Sequence, residues 1–252
     1  MRVLSIDLDY IMGPVIELYN EVGYQADPVS RWKSLFDNTA FKESHFYIDQ
    51  GNLIYCYDLF LEAMNKCSSV SFGYEHDAIL HYIGDKEDLE IINIDHHDDM
   101  FHAHYSNLEE DLDDDEILMR EYEDLKNGYS PNEGNWGAWL HAMGKLKSFT
   151  WIGNKTSANV DRSNFITENL MGKNYRATTR EDFHIFNTEF DHIFVCCSPQ
   201  YMPKNHWHYF TMFILAYEIF SKKEVDKTVL DKKYSIEKSH QNLTDEIFGS
   251  LS

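Results

Sequence analysis

Residues 91–99 read IINIDHHDD, an apolar run that ends abruptly in acids and histidines. A short run of β-branched residues is typical of a buried strand, in which alternate side chains point to the same face. Asp95, His97 and Asp99 follow this run at intervals of two residues, so the pattern directs all three side chains the same way. Two carboxylates and an imidazole on one face predict a site for a divalent metal ion.

Two other segments end in residues of the same kind. Residues 3–6 (VLSI) lead into Asp7 and Asp9, which are again two positions apart. Residues 70–73 form a short β-rich run that breaks at a glycine, and His76 follows where a helical pattern begins. In open α/β folds, sites form beyond the carboxyl ends of parallel strands. We therefore expect Asp7, Asp9 and His76 to converge with residues 95–99.

The order of elements predicts the fold class. Strands are predicted near residues 2–8, 68–72, 90–95, 148–152 and 191–197, and helices near 14–22, 52–66, 76–83, 114–126, 135–146 and 206–222. This alternation is typical of a mainly parallel sheet with helices on both faces. The least structured stretches are expected at about 97–113, 153–180 and after Val225. The prediction is a single three-layer α/β/α domain over residues 1–252.

The ligand types indicate which metal the site prefers. Structural zinc favours four Cys and His ligands, whereas a carboxylate-rich set with few imidazoles suits Mn²⁺ and similar octahedral ions. Four aspartates also balance the charge of two divalent cations. Two ions roughly 3.5–4 Å apart can share a bridging water and activate it, which is the usual two-metal hydrolytic scheme.

The three segments resemble the metal-binding motifs of the ureohydrolases, the family of arginase and agmatinase. Those motifs are a G-G-[DN]-H turn, a D-A-H-x-D strand end and an S-x-D-x-D-x-x-x-P strand end. Here they read GYEH at 73–76, DHHDD at 95–99 and SIDLD at 5–9 followed by Pro14. The chain is most similar to an arginase-like branch that includes peptide arginases of ribosomal peptide natural-product pathways, which convert peptidyl arginine to ornithine. The resemblance covers about half of the chain.

The resemblance implies a binuclear manganese site with two Mn²⁺ per chain. One ion would be held by His76, Asp95, Asp99 and Asp7, and the other by His97, Asp95, Asp7 and Asp9, with Asp95 and Asp7 bridging. It also implies that a bridging hydroxide attacks the guanidinium carbon of an arginine side chain and that urea leaves with ornithine. In ordinary arginases the D-x-D motif follows the other two, whereas here it lies at 7–9, so the motif order is permuted.

The residue that would bind the guanidinium is left open. Residues 193–199 resemble the late strand on which arginases carry a glutamate facing the guanidinium, but no acid stands at that strand end here. Glu133 and Asp49 are candidate replacements, because a carboxylate matches the guanidinium fork with two charge-assisted hydrogen bonds. Each is also consistent with an ordinary solvated loop acid.

Several further histidines are candidates for other roles. His141 is a candidate proton shuttle to the leaving amine, since an imidazole near neutral pKa suits that transfer. His96 is expected to point away from the metals. His102 and His104 are expected on the rim, where substrate would arrive.

Composition limits the partners and the compartment. The net charge of −21 argues against nucleic acid and favours a cationic partner such as an arginine-containing peptide. The acidic run at 109–116 would attract such a peptide, although it also fits a solvated loop before a helix. The sequence shows no signal peptide, no apolar stretch of transmembrane length and no disulfide framework among its four cysteines, which predicts a cytoplasmic protein without membrane contact. Nothing in the sequence indicates the oligomeric state.

Three alternative functions stay open at this level. The substrate could be free arginine or agmatine instead of a peptide. A deacetylase-like amidohydrolase would use one zinc ion and fewer carboxylates. A protein that binds metal without turnover would need the same ligands.

Overall fold

Among the residues that the structure describes, six strands form one sheet, and all of their pairings are parallel. The structure is a computed structural model that describes residues 1–13, 27–101, 114–155, 157, 170–223 and 225. The strands are β1 Arg2–Asp7, β2 Ser69–Gly73, β3 Leu89–Ile94, β4 Leu146–Gly153, β5 Tyr175–Thr179 and β6 His192–Cys196. They lie side by side in the order β2-β6-β1-β3-β4-β5. Five of them confirm predicted strands, and β5 falls in a stretch that the sequence marked as poorly structured.

Six α-helices occur among the described residues. They are α1 Pro28–Asn38, α2 Gln50–Met64, α3 Leu80–Ile83, α4 Asp114–Lys126, α5 Trp136–Ala142 and α6 His208–Ser221. The predicted helix at 76–83 begins as a 3-10 turn, His76–Ile79, and the predicted helix at 135–146 ends early, at Ala142. The sequence analysis missed α1, and the helix predicted at 14–22 lies outside the described residues. None of the helices in the described ranges is long and apolar enough to cross a bilayer.

Helices cover both faces of the sheet. Successive residues of β1 point to opposite faces, so that Leu4 packs into one apolar cluster and Val3 into another. The first cluster includes Phe60 of α2 and Phe213 of α6, whereas the second includes Trp136 of α5. The predicted three-layer α/β/α fold is therefore confirmed, with β1 at its centre.

Strand register sets the position of the candidate site. Ile6 of β1 lies opposite Ile94 of β3, and Asp7 lies opposite Cys196 of β6. Gly73 of β2 is paired with the same Cys196. The carboxyl ends of these four strands are therefore level, and the residues that follow them gather at one edge of the sheet.

Candidate metal centre

Asp7 and Asp9 are supplied by the end of β1. Asp7 is the last residue of the strand, and a 3-10 turn, Leu8–Ile11, begins directly after it. The Asp7 carboxylate accepts a hydrogen bond of 3.1 Å from the Asp9 backbone N–H, which holds the two acids in a fixed relation. Both side chains are buried. Burying two carboxylates so close together is costly unless a cation or a proton compensates.

His76 faces three carboxylates with a single nitrogen. Its Nδ1 lies 3.1 Å from Asp7 Oδ2, 3.0 Å from Asp95 Oδ2 and 2.6 Å from Asp99 Oδ2. None of the three oxygens lies where a proton on Nδ1 would point, so this buried nitrogen makes no hydrogen bond of ordinary geometry. The other nitrogen, Nε2, is 2.6 Å from Ser5 Oγ. An imidazole held through Nε2, with a bare Nδ1 among carboxylates, fits a metal ligand.

Asp95 lies between the two imidazoles of the site. Its Oδ2 faces His76 Nδ1, whereas its Oδ1 lies 4.0 Å from His97 Nδ1. Oδ1 also accepts the His97 backbone N–H at 2.9 Å, and Oδ2 accepts a hydrogen bond of 3.1 Å from the Asn93 side-chain amide. The orientation of this carboxylate is therefore fixed by its own strand end.

Asp99 needs an unusual backbone conformation to reach the site. Its φ of +55° lies in the left-handed region, which a short polar side chain such as aspartate tolerates better than most. The carboxylate accepts a hydrogen bond of 2.6 Å from Trp136 Nε1 at the start of α5. The turn after β3 thereby brings Asp99 back to His76.

His97 is the most accessible member of the set. Its Nδ1 is 2.9 Å from Asp9 Oδ2, and 23% of its side chain is exposed, against 0% for Asp9. The ring of Tyr201 lies 4.4 Å from the His97 ring, centroid to centroid. The side of the cluster that is open to solvent is therefore the His97 side.

These side chains form two overlapping groups that could each hold a cation. One group is Asp7, His76 and Asp95, and the other is Asp9, Asp95 and His97; within each, the ligand atoms lie within 4.8 Å of one another. Asp95 belongs to both. Asp99 adds a further carboxylate beside His76. The structure thus brings together all six residues that the sequence predicted as ligands.

The electrostatics of the cluster favour a cation. Burial, together with the charge of Asp95, raises the pKa of Asp9 to about 6. Burial also raises the pKa values of Asp7, Asp95 and Asp99 above their ordinary range. For His76, burial opposes the charged form, but the charge of Asp99 and the polar contacts with Asp7 and Asp95 outweigh it and raise the pKa well above its usual value. Protein groups alone therefore leave an excess of crowded negative charge, which divalent cations would neutralise.

The sequence also proposed His141, Glu133, Asp49, His102 and His104 for the site. His141 Nδ1 is 2.7 Å from the Tyr122 hydroxyl, and partial burial lowers its pKa. Glu133 is half-buried in the turn before α5, three residues from Trp136. Asp49 caps α2 by accepting the Asn52 backbone N–H at 2.9 Å. His102 and His104 lie outside the described residues.

His96 contributes to the site through its backbone. Its N–H donates to Asp9 Oδ1 at 3.1 Å, and its ring Nδ1 is 3.3 Å from Asn154 Oδ1 at the end of β4. The ring also stands edge-on to that of His97, with centroids 4.8 Å apart. His96 therefore links the candidate ligands to the neighbouring strand.

Four supporting residues were missed by the sequence analysis: Ser5, Asn93, Trp136 and Tyr201. Ser5 and Asn93 carried a signal, because each is the single polar residue of an apolar run (residues 3–6 and 91–94) and precedes a candidate ligand by two positions, so that it shares its face. Trp136 and Tyr201 carried none, since tertiary structure alone brings them to the ligands.

The end of β6 carries no acid, as the sequence indicated. The chain passes from Cys196 into a loop in which Ser198 adopts a φ of +52°. The loop places Tyr201 against His97. The Arg31 guanidinium lies 5.7 Å from the centre of the same Tyr201 ring. Gln200 Oε1 accepts a hydrogen bond of 2.8 Å from the buried Arg31. A neutral aromatic side chain and a buried cation thus stand near this strand end.

Comparison with known proteins gives no further guide to function. No family model, no curated protein and no solved structure matches this chain. Any function therefore has to be argued from the geometry and chemistry of the site itself.

Proposed function

We propose that this chain is a binuclear metal-dependent hydrolase of the ureohydrolase type, which converts arginine side chains, within a peptide, to ornithine with release of urea. The observation that carries the proposal is the position of Asp95, whose two oxygens face different imidazoles and which belongs to both candidate metal groups. A carboxylate shared in this way is what a pair of neighbouring cations requires.

The donor set favours Mn²⁺ as the ion. Four carboxylates and two imidazoles provide mostly hard oxygen ligands, and they carry enough negative charge for two divalent cations. All four free cysteines lie outside the two candidate groups, so that the soft ligands preferred by structural zinc are not used. In this proposal Asp7 and Asp95 would each help to hold both ions, and the N-terminal position of the D-x-D motif is a permutation of the arginase order.

Two bound Mn²⁺ ions would supply a water activated as a nucleophile at neutral pH. The protein's part is to hold the reacting groups in place. Ser5 orients His76 and Asn93 orients Asp95, both from within the sheet. Trp136 orients Asp99. The substrate enters past His97, the most exposed ligand, so its guanidinium reaches the cluster from the side of Tyr201.

The proposal also includes a residue to bind the guanidinium, Glu133, and a residue to transfer protons, His141. Glu133 lies three residues before Trp136, whose ring N–H donates to Asp99. His141 is hydrogen-bonded to Tyr122, and its lowered pKa keeps it neutral near pH 7, able to accept a proton. The net charge of −21 also suits a cationic peptide.

The experiment combines metal analysis with a substrate panel. The purified chain is loaded with Mn²⁺, its bound metal is counted, and arginine peptides, free arginine and agmatine are assayed for urea and ornithine. We expect two Mn²⁺ per chain and urea from a peptide, with activity abolished in Asp95→Ala and His97→Ala but retained in Asp85→Ala, a change at an exposed acid. Absence of urea from every substrate would overturn the proposal. One zinc per chain together with release of an acyl group would favour the deacetylase-type alternative.

A further inference from the structure

A second polar cavity lies at the same edge of the sheet as the metal centre. It measures about 90 Å³ and is bordered by residues just beyond β1, β4 and β5. That volume is well above the ~15 Å³ that one water needs. Tyr10, which directly follows the ligand Asp9, forms part of its wall, and so does Asn154, whose Oδ1 lies 3.3 Å from the His96 ring. The cavity wall therefore includes residues that directly neighbour the candidate ligands or His96.

Arg180 stands in this cavity in a fixed orientation. It follows β5 at the carboxyl end, and its Nη1 donates to Asn52 Oδ1 at 2.7 Å. Asn52 is itself held, since its Nδ2 donates to the Tyr10 carbonyl at 3.0 Å. The guanidinium also lies 5.9 Å from the centre of the Tyr55 ring. A guanidinium that is held on one side and over an aromatic ring is pre-organised to bind a planar anion.

One edge of the guanidinium remains available to a ligand. Arg180 Nε donates to Glu181, but among the described residues Nη2 makes no hydrogen bond. Gly51 lies beside this edge, because a Cβ at residue 51 would lie 3.5 Å from Nη2. Because residue 51 has no side chain, that edge is uncovered. The Arg180 side chain is 27% exposed, which is enough for a ligand to reach it.

Both acids of the cavity, Glu181 and Asp49, already have polar partners. Glu181 accepts from Arg180 Nε at 3.2 Å and lies 3.4 Å from Lys155 Nζ, so one carboxylate serves two cations. Asp49 gives its carboxylate to the cap of α2. Each acid of the cavity therefore already faces a donor, whereas Arg180 Nη2 is a donor that faces no acceptor among the described residues, and such a donor suits an anion.

We propose that Arg180 binds a carboxylate of the substrate, with Asn52 positioning it and Lys155 adding charge. This inference rests on the proposed function, and it narrows the substrate class to arginine compounds that also bear a carboxylate. The carboxylate belongs either to the arginine itself or to an acidic neighbour in a peptide. Arginine amides without an acidic neighbour, and agmatine, are then poor ligands.

Binding is measured calorimetrically with Mn²⁺-loaded protein and with four probes. Nα-acetylarginine is compared with Nα-acetylargininamide, and acetyl-Arg-Asp-amide is compared with acetyl-Arg-Asn-amide. We expect the carboxylate-bearing member of one pair to bind about 10- to 100-fold more tightly than its amide, as a charge-assisted hydrogen-bonded pair provides. The pair that shows the preference identifies the source of the carboxylate. Equal affinities within both pairs, or tighter binding of the amides, would overturn the inference.

Three variants locate the preference in the cavity. Arg180→Met should remove it while leaving affinity for the amides unchanged. Gly51→Leu should also remove the carboxylate preference, because a side chain at residue 51 covers Nη2 while the charge of Arg180 is kept. This variant keeps the test valid if the Arg180 variant fails to fold. Lys86→Met, which removes an exposed cation elsewhere, should leave the preference intact. If Gly51→Leu keeps the full preference, Arg180 Nη2 is not the binding group.

Urea release from the same probes separates the two proposals. A carboxylate preference in binding without urea from any probe would contradict the hydrolase and retain the subsite. Urea released equally from acids and amides, with no difference in affinity, would retain the hydrolase and contradict the subsite.

Discussion

Ser5 and Asn93 lie side by side in the sheet, paired across β1 and β3, and both are fully buried. Ser5 lies 2.6 Å from His76 Nε2, and Asn93 donates to Asp95 Oδ2 at 3.1 Å. These two residues form a polar pair next to the candidate ligands, each inside an apolar run of its strand (residues 3–6 and 91–94). Because burying a polar group is costly, a hydrogen bond to a candidate ligand offsets part of that cost and would also orient the ligand.

The Ser5→Ala variant should weaken metal binding by about 10- to 100-fold, because it removes the group that orients His76. It also leaves Nε2 buried without a partner, which should cost about 1–3 kcal/mol of unfolding free energy. Metal affinity is measured by calorimetric titration of the metal-free protein.

The matched control for this prediction is Ser71→Ala. Ser71 lies in β2, outside both candidate metal groups, and makes a comparable contact of 2.8 Å with the ring of His192. This variant should lose similar stability but keep its metal affinity. Equal metal affinity in wild type and Ser5→Ala would contradict the orienting role of Ser5.

The sharing of Asp95 leads to a prediction about stoichiometry. Asp9→Asn should leave about one metal ion per chain, since it damages only the group formed with His97. Asp95→Asn should bind less than one, because Asp95 belongs to both groups. Bound metal is counted by elemental analysis after gel filtration, with the folded state checked by circular dichroism. Two ions retained by Asp95→Asn would show that Asp95 is not shared.

Stability should depend on pH through His192. Both ring nitrogens contact serine hydroxyls, Nδ1 with Ser69 at 2.7 Å and Nε2 with Ser71 at 2.8 Å, and burial lowers the pKa of this histidine to about 4. Because its unfolded pKa is about 6.5, the unfolded chain takes up the proton first as the pH falls. The contribution of neutral His192 is therefore complete above pH 6.5 and is lost as the pH approaches 4. The expected loss is about 3 kcal/mol.

The measurement for this prediction is urea unfolding of wild type and His192→Gln between pH 7 and pH 4, with chelator present so that metal binding does not contribute. The difference in unfolding free energy between the two proteins should shrink towards pH 4. Parallel pH profiles would contradict a buried neutral His192.

The clustering of the candidate ligands could be predicted because its signal is local. An apolar run that ends in acids at intervals of two residues fixes both the strand and the face, and the parallel sheet then brings three strand ends to one edge. Asp7, Asp95 and His76 meet for this reason although 88 residues separate the first two.

The elements that were missed have weak or different local signals. β5, Tyr175–Thr179, is an edge strand in which only Tyr175 is buried, so it lacks an apolar run. The helix α1, Pro28–Asn38, is polar on average, and its start was marked by Asp27, whose carboxylate accepts the Ser30 backbone N–H at 3.0 Å, and by Pro28 in the first turn. Asp27 and Pro28 are therefore a recognisable start signal for this helix in the sequence.

The pairing of β1 with β6 also has a consequence for biosynthesis. Val3 lies opposite His192, so the strand at the centre of the sheet is translated long before one of its two neighbours. Until residues 192–196 leave the ribosome, β1 presents an unpaired edge, and the nascent chain has an apolar surface that a chaperone or another nascent chain can occupy. Contacts this distant along the chain close slowly, and the last of the described strands to emerge, β6, is the one that completes the centre of the sheet.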